Sequence, residues 1–311
     1  MFGVRRVLVG VDWVESTSGD RDDALPLPTR EAIRMAERIA AFSRAALTYM
    51  HVDEEGVSPG PADGPPPAAG SRTVLEGLVS DATARGIEAS LRVVPGRSWQ
   101  ELVRDVLRHK HQLVVVGTRE QSATRRRLLG STAMRLLRSC PSPVWVTRPL
   151  VSEGVPTVLV ADDLSDVGGQ CLELGVSAAR MLQGRLLVLH AVQFPLLAHL
   201  RRTGVSEGEI AQYCEKVREE ATQAVHNRLA RTDYRTIEHG SRVLISTGRP
   251  DIMILEAAEE HRVDLLVMGT IARGGVAGLL LGNTAERLLP EVSCSVLAVK
   301  PDDFACPVTL D

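Results

Sequence analysis

The chain repeats itself once, and this duplication restricts its fold more than any other feature, because two like segments must solve the same packing problem. Leu113-Val114-Val115-Val116-Gly117-Thr118 returns as Leu265-Leu266-Val267-Met268-Gly269-Thr270, displaced by 152 residues. Leu129-Gly130-Ser131-Thr132-Ala133 returns as Leu281-Gly282-Asn283-Thr284-Ala285 at the same offset, as does Pro95-Gly96-Arg97 as Thr247-Gly248-Arg249. Val7-Leu8-Val9-Gly10-Val11-Asp12 matches Val158-Leu159-Val160-Ala161-Asp162-Asp163 at 151, whereas His51 against His190 shortens the offset to 139. Length differences therefore fall in the connections. At 311 residues the expectation is two domains, 1–150 and 151–311, meeting near Pro149 to Pro156.

Within each half, short runs rich in Val and Leu alternate with longer segments of helical period, the pattern of an α/β fold in which a parallel sheet is covered by helices. Five strands are expected per half: near 4–12, 45–52, 87–94, 112–117 and 143–147, then near 156–162, 185–192, 237–246, 263–268 and 295–299. Ala32, Ala36 and Ala40 beside Ile33 and Ile39 mark one helix near 30–43. Ile210, Tyr213, Val217, Ala221, Val225 and Leu229 mark another, opened by Ser206-Glu207-Gly208-Glu209 as a capping box. Ser98-Trp99-Gln100-Glu101 reads as a second capping box. Asp53 to Arg72, rich in Pro and Gly, reads as a surface loop.

Composition excludes several functions. Aromatic residues make up only 3% of the chain, too few for base-stacking platforms, and the net charge of −3 gives no footprint for nucleic acid. No apolar run approaches the length that spans a bilayer, and Val7 to Val11 is cut off by Asp12, so this run reads as a first strand. The expectation is a soluble cytoplasmic protein with no membrane or nucleic-acid partner. Cys140, Cys171, Cys214, Cys294 and Cys306 are odd in number and scattered, which suits reduced structural thiols. No phosphate-loop lysine or H-E-x-x-H is present, so conventional catalysis is disfavoured and no catalytic residue is expected.

In an open α/β sheet, ligands bind outside the carboxyl ends of strands, where strand order reverses. This places Asp12, closing the first strand, near Gly117, closing the fourth. Gly130-Ser131 opens a helix whose N–H groups suit an anion such as phosphate. Asp163, Gly269, Gly282 and Asn283 are the second-half equivalents.

At this point the residues resemble the universal stress protein family, whose mark is G-x2-G-x9-G-[S/T] after the fourth strand. Gly117-x2-Glu120-x9-Gly130-Ser131 and Gly269-x2-Ala272-x9-Gly282-Asn283 keep the outer glycines and replace the middle one. Leu136 to Trp145, Leu281 to Glu286 and Lys300-Pro301-Asp302 look like the two-domain E-type members. The resemblance implies two tandem Rossmann-like domains of the adenine nucleotide alpha hydrolase-like kind. It also implies a non-enzymatic role in stress response or ligand sensing, with a small anionic ligand such as ATP or another adenine nucleotide. Carried over by position, it nominates Asp12 near adenine, Val52 after strand two, and Gly117, Gly130 and Ser131 for ribose and phosphates. Glu120 adds a carboxylate where phosphates would lie, and Asn283 removes a hydroxyl, so both sites are expected to be weakened. Family fifth strands commonly meet across a dimer interface. Trp145 and Val296 are accordingly expected to join the halves into an intramolecular pseudo-dimer, with a homodimer left open. The rival readings are an adenine-nucleotide hydrolase or transferase using the first-half site, and an interaction scaffold with vestigial sites.

The remaining features have plainer readings. Residues 1–150 carry 21 basic and 17 acidic side chains, residues 151–311 carry 15 and 22, so the halves differ in charge. Arg125-Arg126-Arg127 reads as a solvated run. His109-x-His111 lacks a local Cys or acidic partner, so no metal is expected there. His51 and His190 read as hydrogen-bonded strand-end histidines. Asp162-Asp163 is a carboxylate pair without an identified partner.

Overall fold

The computed structural model describes residues 3–14, 24–54, 69–118, 129–149, 154–271 and 281–310. The Asp53–Arg72 loop falls mostly outside this range; Glu120, Arg125-Arg126-Arg127 and Ala272 lie outside it entirely. The chain divides into two compact units. One comprises Met1–Pro149, Thr270–Gly282 and Ser293–Asp311, and the other Leu150–Gly269 and Asn283–Val292.

In the first unit, strands β1 (Arg6–Gly10), β2 (Ala46–Asp53), β3 (Ala89–Pro95), β4 (Leu113–Gly117) and β5 (Val144–Thr147) run parallel in the order β3-β2-β1-β4-β5. Strand order reverses between β1 and β4, and Val7↔Leu113 and Val9↔Val115 fix their register. The β1 and β4 cores are continuous apolar runs, as expected of strands covered on both faces. A sixth strand, β10 (Ser295–Val299), pairs antiparallel with β5 through Leu297↔Trp145. The sheet of this unit is therefore larger than the five parallel strands expected, because the last strand of the second repeat completes it. Ser295 latches the join: its Oγ accepts from the Arg148 N–H at 2.9 Å and donates to the Arg148 carbonyl at 3.1 Å. Buried Lys300 follows β10 and donates from Nζ to the Leu137 carbonyl and to Thr270 Oγ1. Burial lowers its pKa to about 8.

Helix α1 (Leu27–Ser43) packs on β1 and β4 and buries Ala32, Ile33, Ala36, Ile39 and Ala40, the stripe read from the sequence. It stops at Arg44, whose left-handed backbone (φ 54°) ends the helical hydrogen bonding. Helices α2 (Ala69–Ala84), α3 (Ser98–His109) and α4 (Ser131–Ser139) complete the unit.

In the second unit, β6 (Thr157–Ala161), β7 (Arg185–Val192), β8 (Ser241–Thr247) and β9 (Leu265–Gly269) run parallel in the order β9-β6-β7-β8. Strand β8 begins later than its expected span near 237, because Tyr234–Thr236 forms a 3₁₀ turn and Gly240 takes a φ of +74°. Helices α5 (Asp166–Leu182), α6 (Leu197–Arg202), α7 (Glu207–Leu229), α8 (Pro250–Glu260) and α9 (Asn283–Leu288) flank these strands. The α7 capping box forms as expected: Ser206 Oγ accepts from the Glu209 N–H, and the Glu209 carboxylate accepts from the Ser206 N–H. The same reading fails at Ser98. Arg97 caps α3, and Ser98 turns instead to a carboxylate 44 residues earlier. All five cysteines are free thiols, with Cys140, Cys171 and Cys294 buried as expected of packing residues. Among the described residues, no helix is long and apolar enough to cross a membrane.

Candidate functional site

The reversal of strand order between β1 and β4 leaves a crevice at their carboxyl ends, and the first unit has a pocket there. Gly10, Val11, Asp12, Val52, Gly117 and Thr118 line it, with hydroxyls from Thr29, Ser98 and Thr132. The predicted residues Asp12, Val52 and Gly117 thus come together. Gly130 and Ser131 stand at the start of α4 and do not line the pocket; Thr132 and Ala133, the next two residues, take that place. The volume is about 50 Å³. Sites that bury most of a drug-sized ligand hold roughly 300–1,000 Å³, so a nucleotide would have to displace some of these walls.

Two backbone features set the shape of the crevice. Gly117 has no side chain because α1 begins against it: a Cβ there would lie 2.5 Å from the Pro28 carbonyl oxygen. Gly117→Ala is accordingly expected to cost about 1–3 kcal/mol through overpacking, read as a lower denaturant midpoint; an unchanged midpoint would mean that α1 does not pack as described. The turn after β1 is fixed by His51, whose Nδ1 donates to the Val11 carbonyl at 2.9 Å, and by the Val11 N–H bonding to the Met50 carbonyl. His51 is the hydrogen-bonded strand-end histidine expected, and that bond requires its proton on Nδ1.

Sequence reasoning missed one residue at the rim. Glu54 Oε1 accepts from the Ser98 N–H at 3.0 Å and from Ser98 Oγ at 2.6 Å, so a carboxylate of the chain itself sits on the N-terminus of α3. An acidic side chain is favourable at that helix end, and it opposes any phosphate approaching the same place. Nothing local signals this pairing, since 44 residues separate the partners.

The second unit uses the equivalent position differently. Asp162 and Asp163 follow β6 as Val11 and Asp12 follow β1, and His190 Nδ1 donates to the Asp162 carbonyl at 2.7 Å, the counterpart of the His51 bond. The carboxylate pair then divides its work. Asp162 is buried and forms an ion pair with Arg228 of α7, Nη1 to Oδ1 at 2.7 Å. Its Oδ1 also accepts the Leu164 N–H, whereas Oδ2 has no hydrogen-bond partner. Burial raises the Asp162 pKa above the ordinary carboxylate value, and the Leu164 N–H and Arg228 offset this only in part. Asp163 is exposed and accepts from both the N–H and Oγ of Ser165, the residue that caps α5. Arg228 Nη2 reaches the Ser165 carbonyl as well. Gly168 makes room for this cluster: a Cβ there would lie 2.3 Å from Asp162 Oδ1. Gly269 closes β9 with Val167 against it and Asn283 opens α9, whereas Gly282 belongs to the first unit and spends its N–H there on the Thr270 carbonyl at 2.7 Å. The Gly282 N–H is therefore engaged within the chain and not turned to an anion.

Strand order, crevice and repeated βα units define a duplicated α/β protein of the nucleotide-fold class. The sequence profile of the universal stress protein family matches residues 3–148 and again 155–300, and the chain belongs to that family as two tandem copies. It is similar to universal stress protein E of Photorhabdus laumondii, with 25% identity over 78% of this chain and 82% of that one. Universal stress protein E of Escherichia coli K12 is 24% identical over 77% of this chain and 81% of its own. Among solved structures, a functionally unknown protein of Pseudomonas aeruginosa PAO1 superposes with a TM-score of 0.68 at 21% identity, covering 97% of this chain and 94% of that one. A universal stress protein from Archaeoglobus fulgidus gives 0.59 at 18% identity, covering 96% and 99%. These similarities establish the fold and the tandem organisation.

Proposed function

We propose that this chain is a cytoplasmic, non-enzymatic stress-response protein that senses an adenine nucleotide through the crevice of its first unit. The supporting observation is the convergence of Asp12, Val52 and Gly117 on one pocket at the reversal of strand order, beside the start of α4. In this reading Asp12 faces the base, Gly117 lets the ribose approach the backbone, and the N–H groups at Gly130 and Ser131 receive phosphate. Asp163, Gly269, Gly282 and Asn283 are the vestige of a second site, with Arg228 occupied by Asp162 where the first unit keeps its pocket. The small volume and the Glu54 carboxylate both act against affinity, because a crevice that must open binds in proportion to its open fraction. The two repeats, 1–150 and 151–311, act as an intramolecular pair.

A thermal shift with Mg-ATP tests this. Ligand at about 100 times its dissociation constant adds roughly 2.7 kcal/mol, so a clear upward shift is expected, abolished by Gly130→Asp and without release of ADP. No shift at millimolar nucleotide would overturn the ligand assignment. Turnover that disappears with Gly130→Asp would instead identify a hydrolase or transferase.

A further inference from the structure

The C-terminal end of α3 and the first residues toward β4 bring together three groups that the sequence shows only as a histidine pair. Asp105 and His109 lie one helical turn apart, and the chain then reverses through Lys110 in the left-handed region (φ 57°) and returns His111 to the same place. His111 Nε2 is 2.9 Å from Asp105 Oδ2, and His109 Nδ1 is 3.1 Å from Asp105 Oδ1 and 3.3 Å from the Asp105 carbonyl. One donor atom from each of the three lies within 4.8 Å of the others. The acidic partner judged missing from the sequence is therefore present one helical turn before His109, and the chain folds His111 back to it.

We propose that Asp105, His109 and His111 form a binding site for a divalent transition ion of the zinc class. Two imidazoles and one carboxylate are the donor set such ions prefer, with water left to complete the coordination. Bonds of about 2.0–2.1 Å in a tetrahedron place donors about 3.3 Å apart, so from their spacing of up to 4.8 Å the side chains close in on the ion as it binds. Asp105 and His111 are each only 4% exposed, while His109 is partly exposed and gives the ion a way in. His111 Nε2 donates to Asp105 Oδ2, so its proton sits there, and an ion that takes this nitrogen moves the proton to Nδ1, which has no hydrogen-bond partner. The missing outer partner costs affinity.

Arg92 works against the cation. Its Nε lies 3.4 Å from Asp105 Oδ1 in an ion pair that is not aligned as a hydrogen bond, and its side chain is 39% exposed. Arg92 is thus the competitor that an incoming ion must displace from Asp105. The site lies at the amino end of β4, roughly 15 Å of strand away from the crevice at Gly117, and does not depend on the nucleotide reading.

Isothermal titration of the metal-free whole chain with Zn²⁺ decides the matter. One ion per chain is expected, with affinity lowered at least about tenfold in His109→Ala and raised in Arg92→Gln, where the competing charge is gone. Zn²⁺ should also raise the melting temperature of the parent and not that of His109→Ala, whose truncated side chain is partly exposed and leaves the core intact. No uptake by the parent, or equal affinity in parent and His109→Ala, would overturn the proposal. So would an Arg92→Gln variant that binds no more tightly, since a purely structural His–Asp cluster would leave the titration unmoved.

Discussion

Arg228→Ala lowers the unfolding free energy by about 3–5 kcal/mol at neutral pH, because it strands a buried carboxylate whose partner it removes. Asp162 is fully enclosed at its side chain, and its Oδ2 is already without a hydrogen bond, so no other group is placed to take over from the guanidinium. The loss has a definite pH dependence. The folded-state pKa of Asp162 is raised, so between the ordinary carboxylate value and the raised one the folded chain holds more protons than the unfolded chain. Stability from this group is full below that window and falls as pH climbs through it. Removing Arg228 raises the folded value further and extends the window upward. Urea midpoints measured at about pH 5 and about pH 8 should therefore show a smaller deficit for the variant at the lower pH. An equal deficit at both would mean that the Asp162–Arg228 pair is not what the substitution disturbs.

Trp145→Ala is expected to cost a similar amount, about 3–5 kcal/mol, by a different mechanism. Its indole is fully buried in β5, the strand that pairs with β4 on one side and β10 on the other. With only 3 Trp, 3 Tyr and 4 Phe in the chain, few side chains of comparable volume could relax into the space left behind. The deficit should be independent of pH between about 5 and 8, in contrast to Arg228→Ala, because no titrating group is exposed. It also falls on the first unit, whereas Arg228→Ala falls on the second. A melting midpoint within experimental error of the parent would show that β10 does not cover Trp145 as described.

Much of the fold was legible because the signals that carry it are local. Valine and leucine runs broken by Gly, and a stripe at Ala32, Ala36 and Ala40, report burial within a few residues of themselves, and each expected strand overlaps a strand among the described residues, with β8 starting late. The capping box at Ser206 was legible for the same reason. The identical pattern at Ser98 misled, since the hydroxyl donates to Glu54, distant in sequence, and the Glu101 N–H bonds to the Arg97 carbonyl instead of to Ser98 Oγ.

The candidate site was legible by halves. The duplication and the strand-end rule brought Asp12 and Gly117 to one crevice without coordinates. They did not show that Thr132, and not Ser131, would face it, because which residue of a helix's first turn points inward depends on how the helix docks.

The sequence by itself determined the duplication, the alternation of strands and helices, and that the ends of β1 and β4 would lie side by side, all of which follow from periodicity and repetition along the chain. Only the tertiary structure decided that Arg228 pairs with Asp162 across 66 residues, that Glu54 covers the α3 terminus, that His111 turns back to Asp105, and that β10 completes the first unit's sheet. The physical reason is clearest in the first two. A hydrogen bond or ion pair needs its atoms within about 3 Å, and no pattern of residue types along a chain specifies where a long side chain from a distant element will end.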